Sequence, residues 1–212
     1  MDNKHVVVEL LTRVLCDSRP VMPVDGVYLN CQTTSSQGGV FQTAKFLLDK
    51  SYAAKALILH IDAKSGYPGF DKWSEQLQKT GINQEQIEGV ESGETESINT
   101  LIESEALVRF ALKRKYRAIV VVAPPFQQLR AFMTAVTVAL REYPQLRIYS
   151  YPAVAMPWQE EIVHSQGTLK AIPSELIHAE LARINTYQKK GDLSLFEPIL
   201  AYLNQRQDIV RN

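Results

Sequence analysis

The sequence lacks several features that would assign the protein to a simple class. It has two cysteines, Cys16 and Cys31, which are too few for a disulfide framework and indicate a reducing compartment. Lys and Arg number 23, and Asp and Glu also number 23, so there is no charge excess to favour sequence-independent binding of nucleic acid. We therefore expect no nucleic-acid partner and a cytoplasmic location.

Long apolar runs are also missing. No stretch approaches the roughly 18 consecutive apolar residues that predict a membrane-spanning helix, so we expect a soluble protein without a membrane span. Residues 6–15 have apolar side chains at helical spacing between polar ones, which predicts an amphipathic helix and excludes a signal peptide there. The motifs GxGxxG, P-loop, GxSxG, HExxH and CxxC are absent, and no residue spacing indicates a metal site.

What the sequence does contain is enough apolar residues for a sizeable core, with 45% hydrophobic and 22% charged residues. Short apolar runs alternate with amphipathic stretches, which is typical of a parallel sheet covered by helices on both faces. The strands are predicted at residues 26–31, 56–60, 87–90, 118–123 and 146–151. The helices between and after them are predicted at residues 40–48, 70–77, 101–113, 126–141, 175–187 and 195–203.

This order of elements predicts an α/β fold. We expect a doubly wound, Rossmann-like, mostly parallel sheet with helices on both faces and a C-terminal helical extension. Residues 1–212 are expected to form a single domain, with the Rossmann-like core over 24–155 and a helical cap over 156–212. Ligands of such sheets bind beyond the carboxyl ends of the strands, so the loops after the predicted strands are the candidate site.

The loop after the first strand is polar and ends in two glycines before a helix. Backbone N–H groups at the start of a helix bind phosphate and carboxylate groups. Asn30, Gln32 and Thr33 are therefore candidate ligand-binding residues. The alternative is an ordinary turn rich in serine and glycine between a strand and a helix.

Three residues are candidates for proton transfer. His60 ends the second strand, and Glu91 and Glu94 follow the third strand. A histidine or a carboxyl group at this edge of the sheet is able to act as a general acid or base. The simpler interpretation of His60 is a structural or surface histidine.

The segment after the third strand contributes Ser97, Asn99 and Thr100 as candidate ligand-binding residues. Thr100 and Glu103 have the spacing of a capping box, so we expect Thr100 to be the N-cap of the following helix. A helix N-terminus at this edge also favours an anion, and the two interpretations are compatible.

Arg130 is the most unusual residue of the predicted site. It lies near the start of the helix after the strongest strand, where the helix dipole disfavours a cation. We expect a phosphate or carboxylate group of a ligand to compensate this charge by binding the guanidinium bidentately. The alternatives are a surface arginine, or an arginine paired with a buried protein carboxylate such as Glu91, Glu94 or Glu103.

The two best candidate segments follow strands whose carboxyl ends share one edge of the sheet. We therefore expect one concave site surrounded by five residues. These are Asn99, Thr100, Phe126, Gln127 and Arg130.

Residues 94–104 (ETESINTLIES) resemble the S-x-N-T-x-x-E segment of the YdcF/SanA/ElyC-like domain family. Residues 121–131 (VVAPPFQQLRA) resemble that family's strand followed by a pfHxxRA segment, and residues 183–193 are similar to a tail of many members. Gln127 stands in place of the usual histidine, and Asn30 and Cys31 begin a loop that is usually rich in glycine. The resemblance implies a Rossmann-like fold and a pocket at the carboxyl edge, for a family of largely unassigned biochemistry.

Three hypotheses for function follow. The first is a YdcF-like protein that binds a small anionic or nucleotide-like ligand at the carboxyl edge, with S-adenosylmethionine or a nucleotide as the candidate cofactor. The second is an enzyme acting on a phosphorylated or carboxylated substrate, with Arg130 holding the anion and His60, Glu91 or Glu94 transferring a proton. The third is a non-enzymatic interaction module whose helical tail mediates assembly. Gln127 favours binding, because an amide does not transfer protons at neutral pH.

Overall fold

The computed structural model describes residues 4–154, 157–164 and 168–211. Five strands form its central sheet: β1 (Gly26–Leu29), β2 (Ala56–Leu59), β3 (Ile87–Val90), β4 (Ala118–Val122) and β5 (Arg147–Ser150). They are all parallel and lie in the order β3-β2-β1-β4-β5. The chain therefore reverses its direction of travel across the sheet between β1 and β4, which is where doubly wound sheets bind their ligands.

Helices and one hairpin surround the sheet. The helices are α1 (Lys4–Cys16), α2 (Gln37–Asp49), α3 (Phe70–Lys79), α4 (Thr100–Arg114), α5 (Pro125–Glu142), α6 (Pro173–Lys190) and α7 (Phe196–Arg211). A short 3-10 turn, Gln84–Gln86, precedes β3, and the strands β6 (Ile162–His164) and β7 (Leu169–Ala171) form an antiparallel pair. Within the described residues, no helix combines the length and the apolar character that crossing a membrane requires.

The helices form two layers. On one face, α2 and α3 meet through an edge-to-face contact between Phe41 and Trp73, whose ring centroids are 5.0 Å apart. The other layer contains α4 and α5, which pack against each other, with α1, α6 and α7 packed on α5. Because both faces are covered, every residue of β1, β2 and β4 is buried.

The predicted α/β fold, with its parallel Rossmann-like sheet and C-terminal helices, is confirmed. Four of the five predicted strands differ from the observed ones by one or two residues at their ends, and the strand predicted at 87–90 coincides with β3. The hairpin β6–β7 was not predicted, since residues 156–212 were expected to be helical. Its strands are only three residues long, which is too short for alternation of apolar and polar residues to be recognised.

Candidate functional site

A cleft of about 110 Å³ lies at the carboxyl edge of the sheet, between the ends of β1 and β4 and the start of α4. Its walls also include the end of β6 and one face of α6. Several residues predicted from the sequence meet there, as expected from the shared edge of parallel strands. They are Gln32, Thr33, Asn99, Thr100, Gln127 and Arg130.

Three other predicted binding residues do not line this cleft. Asn30 is buried, and its side-chain amide donates to the carbonyl of Val122 at 3.1 Å, which ties β1 to the end of β4. Ser97 precedes α4, where its carbonyl accepts a hydrogen bond from the Thr95 hydroxyl at 2.7 Å. The expectation that Phe126 surrounds the site is wrong, because its ring packs in a small apolar cluster against the β6–β7 hairpin.

The three candidates for proton transfer also lie outside the cleft. His60 and Glu91 form an exposed pair, with Nδ1 and Oε1 2.7 Å apart, in a separate depression beside the start of α3. The ring of His60 stacks on Phe70 at a centroid distance of 4.2 Å. Glu94 is exposed in the loop that follows. None of the three is therefore placed beside Arg130.

Arg130 is buried, with 8% of its surface exposed, and a protein carboxylate compensates its charge. Its Nε donates to Oε2 of Glu180 at 2.5 Å, and its Nη2 donates to Oε1 of the same residue at 3.2 Å. The third bond runs from Nη1 to the hydroxyl of Thr100 at 2.6 Å. The expectation that a ligand supplies the compensating anion is therefore wrong, since a protein carboxylate does so. That carboxylate is Glu180, and not one of the predicted candidates Glu91, Glu94 and Glu103.

Glu180 comes from α6, which packs on α5 and thereby brings the carboxylate over Arg130. It also accepts a hydrogen bond from Nη1 of Arg183 and lies 3.5 Å from Nε2 of His164. Burial raises the pKa of Glu180, but the charge of Arg130 and the hydrogen bonds from His164 and Arg130 outweigh burial and lower it to about 2. Glu180 is therefore ionised at neutral pH.

The guanidinium of Arg130 retains donors that the protein does not use. An arginine has five N–H groups, and three of those of Arg130 bond to Glu180 and Thr100. The remaining two have no acceptor among the described residues, and Arg130 lines the cleft. A buried cation is thus held in a fixed orientation beside open space.

The N-terminus of α4 is capped by Asn99. Its Oδ1 accepts hydrogen bonds from the backbone N–H groups of Leu101 and Ile102, at 2.9 and 3.1 Å. The prediction that Thr100 is the N-cap is therefore wrong, since Thr100 is the first helical residue and its hydroxyl serves Arg130. Glu103 does not complete a capping box, because its side chain turns toward β1.

Glu103 is a buried carboxyl group in the cleft wall, with 3% of its surface exposed. Its Oε2 accepts from the Tyr28 hydroxyl at 3.1 Å and from the backbone N–H of Cys31 at 2.9 Å. Burial raises the pKa of Glu103 to about 7, although these bonds and the charge of Arg130 act in the opposite direction. The other oxygen, Oε1, accepts from no N–H or O–H group of the described residues, and the Cys31 thiol interacts with the carboxyl group in addition to Tyr28 and Arg130.

A chain of amides orients Gln127. Ser36 donates to Oε1 of Gln32 at 3.1 Å, and Nε2 of Gln32 donates to Oε1 of Gln127 at 2.9 Å and to the carbonyl of Asn30 at 3.4 Å. Because Asn30 and Ser36 fix which end of Gln32 is the donor, they also fix the amide of Gln127. Its Nε2 has no acceptor within the described residues, and Gln127 lines the cleft.

The hydroxyl groups of the first loop hold the hairpin. Thr33 donates to the carbonyl of Val163 at 2.6 Å, and Ser35 accepts from the N–H of Val163 at 3.0 Å. These contacts place β6, and with it His164, over the cleft. The sequence predicts that the loop after β1 binds an anion. In the structure, two hydroxyl groups of this loop contact the hairpin instead.

Sequence reasoning missed several residues of the site, and three of them form the ion-pair cluster with Arg130. They are His164, Glu180 and Arg183. All three follow the sheet in sequence, and no pattern in the chain shows that α6 and the hairpin return to its carboxyl edge. Arg183 did have a signal, since it begins the tail segment similar to that of the YdcF/SanA/ElyC-like family. Glu103 was recognised only as a capping residue.

The fold and the site together define a Rossmann-like α/β protein with a small polar cleft at the carboxyl edge of its sheet. No protein-family model matches the chain, and no curated protein matches it. In the part of the chain that the structure describes, no three His, Cys, Asp or Glu residues are grouped so as to hold a metal ion. The function must therefore be inferred from the cleft itself.

Proposed function

We propose that the protein binds a small anion, or the phosphate or carboxylate group of a larger ligand, in the cleft at the carboxyl edge. The buried guanidinium of Arg130 in the cleft wall carries this proposal. Two guanidinium groups, those of Arg130 and Arg183, face one ionised carboxylate, that of Glu180. Both guanidinium groups line the cleft, and that of Arg130 is buried, with 8% of its surface exposed.

The unused donors support the same conclusion. Two N–H groups of Arg130 and the Nε2 of Gln127 have no acceptor in the described residues, and both side chains line the cleft. Charge-assisted hydrogen bonds to an oxyanion are roughly twice as strong as neutral ones. The N-terminus of α4, which begins at Thr100, adds the positive end of a 15-residue helix.

The size of the cleft limits what enters it. Pockets that enclose drug-sized ligands measure roughly 300–1,000 Å³, and this cleft measures about 110 Å³. It therefore takes one charged group. A neighbouring cleft of about 110 Å³ shares Asn99, Thr100, Arg130 and Tyr187 with it, so a larger ligand has room to extend there. A nucleotide or S-adenosylmethionine fits this proposal only with its base outside the first cleft.

The other hypotheses have weaker support. An enzyme acting on a phosphorylated or carboxylated substrate would use Glu103 for proton transfer, since His60, Glu91 and Glu94 lie elsewhere. An interaction module built on the helical tail has less support, because α7 buries three apolar residues in the protein's own core. These residues are Ile199, Tyr202 and Leu203.

Two further predictions from the sequence remain proposals. The relationship to the YdcF/SanA/ElyC-like family rests on the resemblance of three segments. The cytoplasmic location is supported by Cys16 and Cys31, which are both free thiols, as is usual in a reducing compartment.

Calorimetric titration with inorganic phosphate and with sulfate tests the proposal. Arg183→Gln removes one positive charge and leaves Glu180 paired with Arg130. We expect it to weaken anion binding about tenfold, since one charge-assisted hydrogen bond contributes roughly 1.5 kcal/mol. The matched control is Arg109→Gln, which removes the same charge from an exposed position on α4. Equal effects of the two substitutions, or no binding of either anion, would contradict the proposal.

A further inference from the structure

We propose that Glu103 donates a hydrogen bond from its cleft-facing oxygen, Oε1, to the bound anion, so that the anion enters the cleft together with one proton. This inference rests on the proposed function and specifies the ligand further. The site takes an oxyanion that accepts a hydrogen bond from a carboxylic acid.

The two oxygens of Glu103 are not equivalent. Oε2 accepts two hydrogen bonds, from the Tyr28 hydroxyl and from the N–H of Cys31, which occupy its acceptor positions. A proton on the carboxyl group therefore resides on Oε1. No N–H or O–H group of the described residues bonds to Oε1, and the Cys31 thiol beside the carboxyl group is only a weak donor. Since Glu103 lines the cleft, the O–H group is available to a ligand.

Electrostatics couples this proton to the anion. An anion beside an ionised Glu103 would place two like charges in a site with little solvent, where repulsion is strong. Binding of the anion therefore favours the protonated carboxyl group, and the proton in turn favours the anion. Burial already raises the pKa of Glu103 to about 7, so the proton is available near neutral pH.

Other titratable groups surround Glu103 and must be separated from it. Burial raises the pKa values of Tyr28, Cys31 and Tyr67, so these groups stay protonated at neutral pH. The groups that face Glu103 from β1, from the loops after β1 and β2, and from α5 are Tyr28, Cys31, Tyr67 and Arg130. Those across the cleft are His164, Arg183 and Tyr187. Of all these groups, His164 needs its own control.

Sulfate is the probe, because it carries no proton between pH 5.5 and 8.5 and cannot supply one. Its affinity for the full chain is measured by titration calorimetry across this range. We expect the affinity to fall with rising pH and to approach a tenfold loss per pH unit above about pH 7. In Glu103→Gln, whose amide keeps a donor toward the cleft at every pH, this loss disappears. In His164→Gln it persists.

A second measurement needs no variant. Titrations at pH 8 in two buffers of different ionisation enthalpy count the protons taken up with each sulfate, and we expect a value approaching one. A value of zero overturns the inference, as does an unchanged pH dependence in Glu103→Gln. These results differ from failure of the proposed function, in which the unmodified protein binds neither sulfate nor phosphate at any pH.

Discussion

At the scale of single residues, the main result is the pairing of Arg130 with Glu180. The position of Arg130 near a helix N-terminus predicted that it needs an anion, and the structure identifies a protein carboxylate as the first such anion. The identity of the partner was not predictable, because Glu180 is 50 residues further along the chain. Thr100 shows the same limit, since its sequence spacing indicated a cap and its hydroxyl instead contacts Arg130.

This pairing gives a prediction for stability. Glu180→Gln leaves the buried charge of Arg130 without its counterion, and breaking a buried ion pair typically costs about 3–5 kcal/mol. We expect a loss of this size in the free energy of unfolding, measured by urea denaturation. The control is Glu75→Gln, whose ion pair with Lys79 is exposed on α3 and should leave stability unchanged. Similar curves for the two variants would argue against a structural role for the pair.

At the scale of secondary-structure elements, the sequence predicted those elements that bury continuous apolar runs. The run of residues 118–122 was predictable because every one of its side chains is buried in β4. The hairpin β6–β7 was not predictable from the sequence. Its two strands have three residues each, and the hydroxyl of Thr33, 130 residues earlier in the chain, holds β6 in place. Elements fixed by tertiary contacts leave little trace in a single sequence.

The start of α2 offers a matched pair of substitutions. Gly39 lies close to the loop that follows β5, and a Cβ added to it would be 2.9 Å from the carbonyl oxygen of Val154. At the neighbouring Gly38, nothing lies within 4 Å of an added Cβ. We expect Gly39→Ala to destabilise the protein by about 1–3 kcal/mol through overpacking. Gly38→Ala should stabilise it by about 0.5–1 kcal/mol through lower entropy of the unfolded chain. Thermal unfolding of both variants checks this, and equal shifts would show that the close approach is absent.

At the scale of the whole molecule, the topology of the sheet explains why the position of the site was predictable and why only some of its residues were. Parallel strands place their following loops at one edge, so residues near Gln32, Asn99 and Gln127 were expected to meet, and they do. The sequence contains no comparable rule for α6, which contributes Glu180 and Arg183 from the C-terminal part of the chain. The cluster of ion pairs around Glu180 is therefore visible only in three dimensions.

The two buried carboxyl groups of the site predict how stability depends on pH. The pKa of Glu103 is raised from 4.5 to about 7 on folding, so the folded state binds more protons between these values and stability falls as pH rises through this range. The pKa of Glu180 is lowered to about 2, so its contribution is present above about pH 4.5 and is lost as pH falls toward 2. Both groups therefore favour maximal stability near pH 4.5.

Glu103→Gln isolates the first of these effects. The variant keeps an oxygen to accept from Tyr28 and Cys31 and has no charge to bury. We compare the free energy of unfolding of the variant with that of the unmodified protein. From pH 4.5 to pH 8 the difference should change by roughly 3 kcal/mol in favour of the variant, because each unit of pKa shift corresponds to about 1.4 kcal/mol. Urea denaturation of both proteins at several pH values measures this difference. Because Glu103→Gln leaves every other titrating group in place, their contributions largely cancel in the comparison. Parallel curves would mean that the carboxyl group ionises as easily in the folded chain as in water, and that no proton is held beside Arg130.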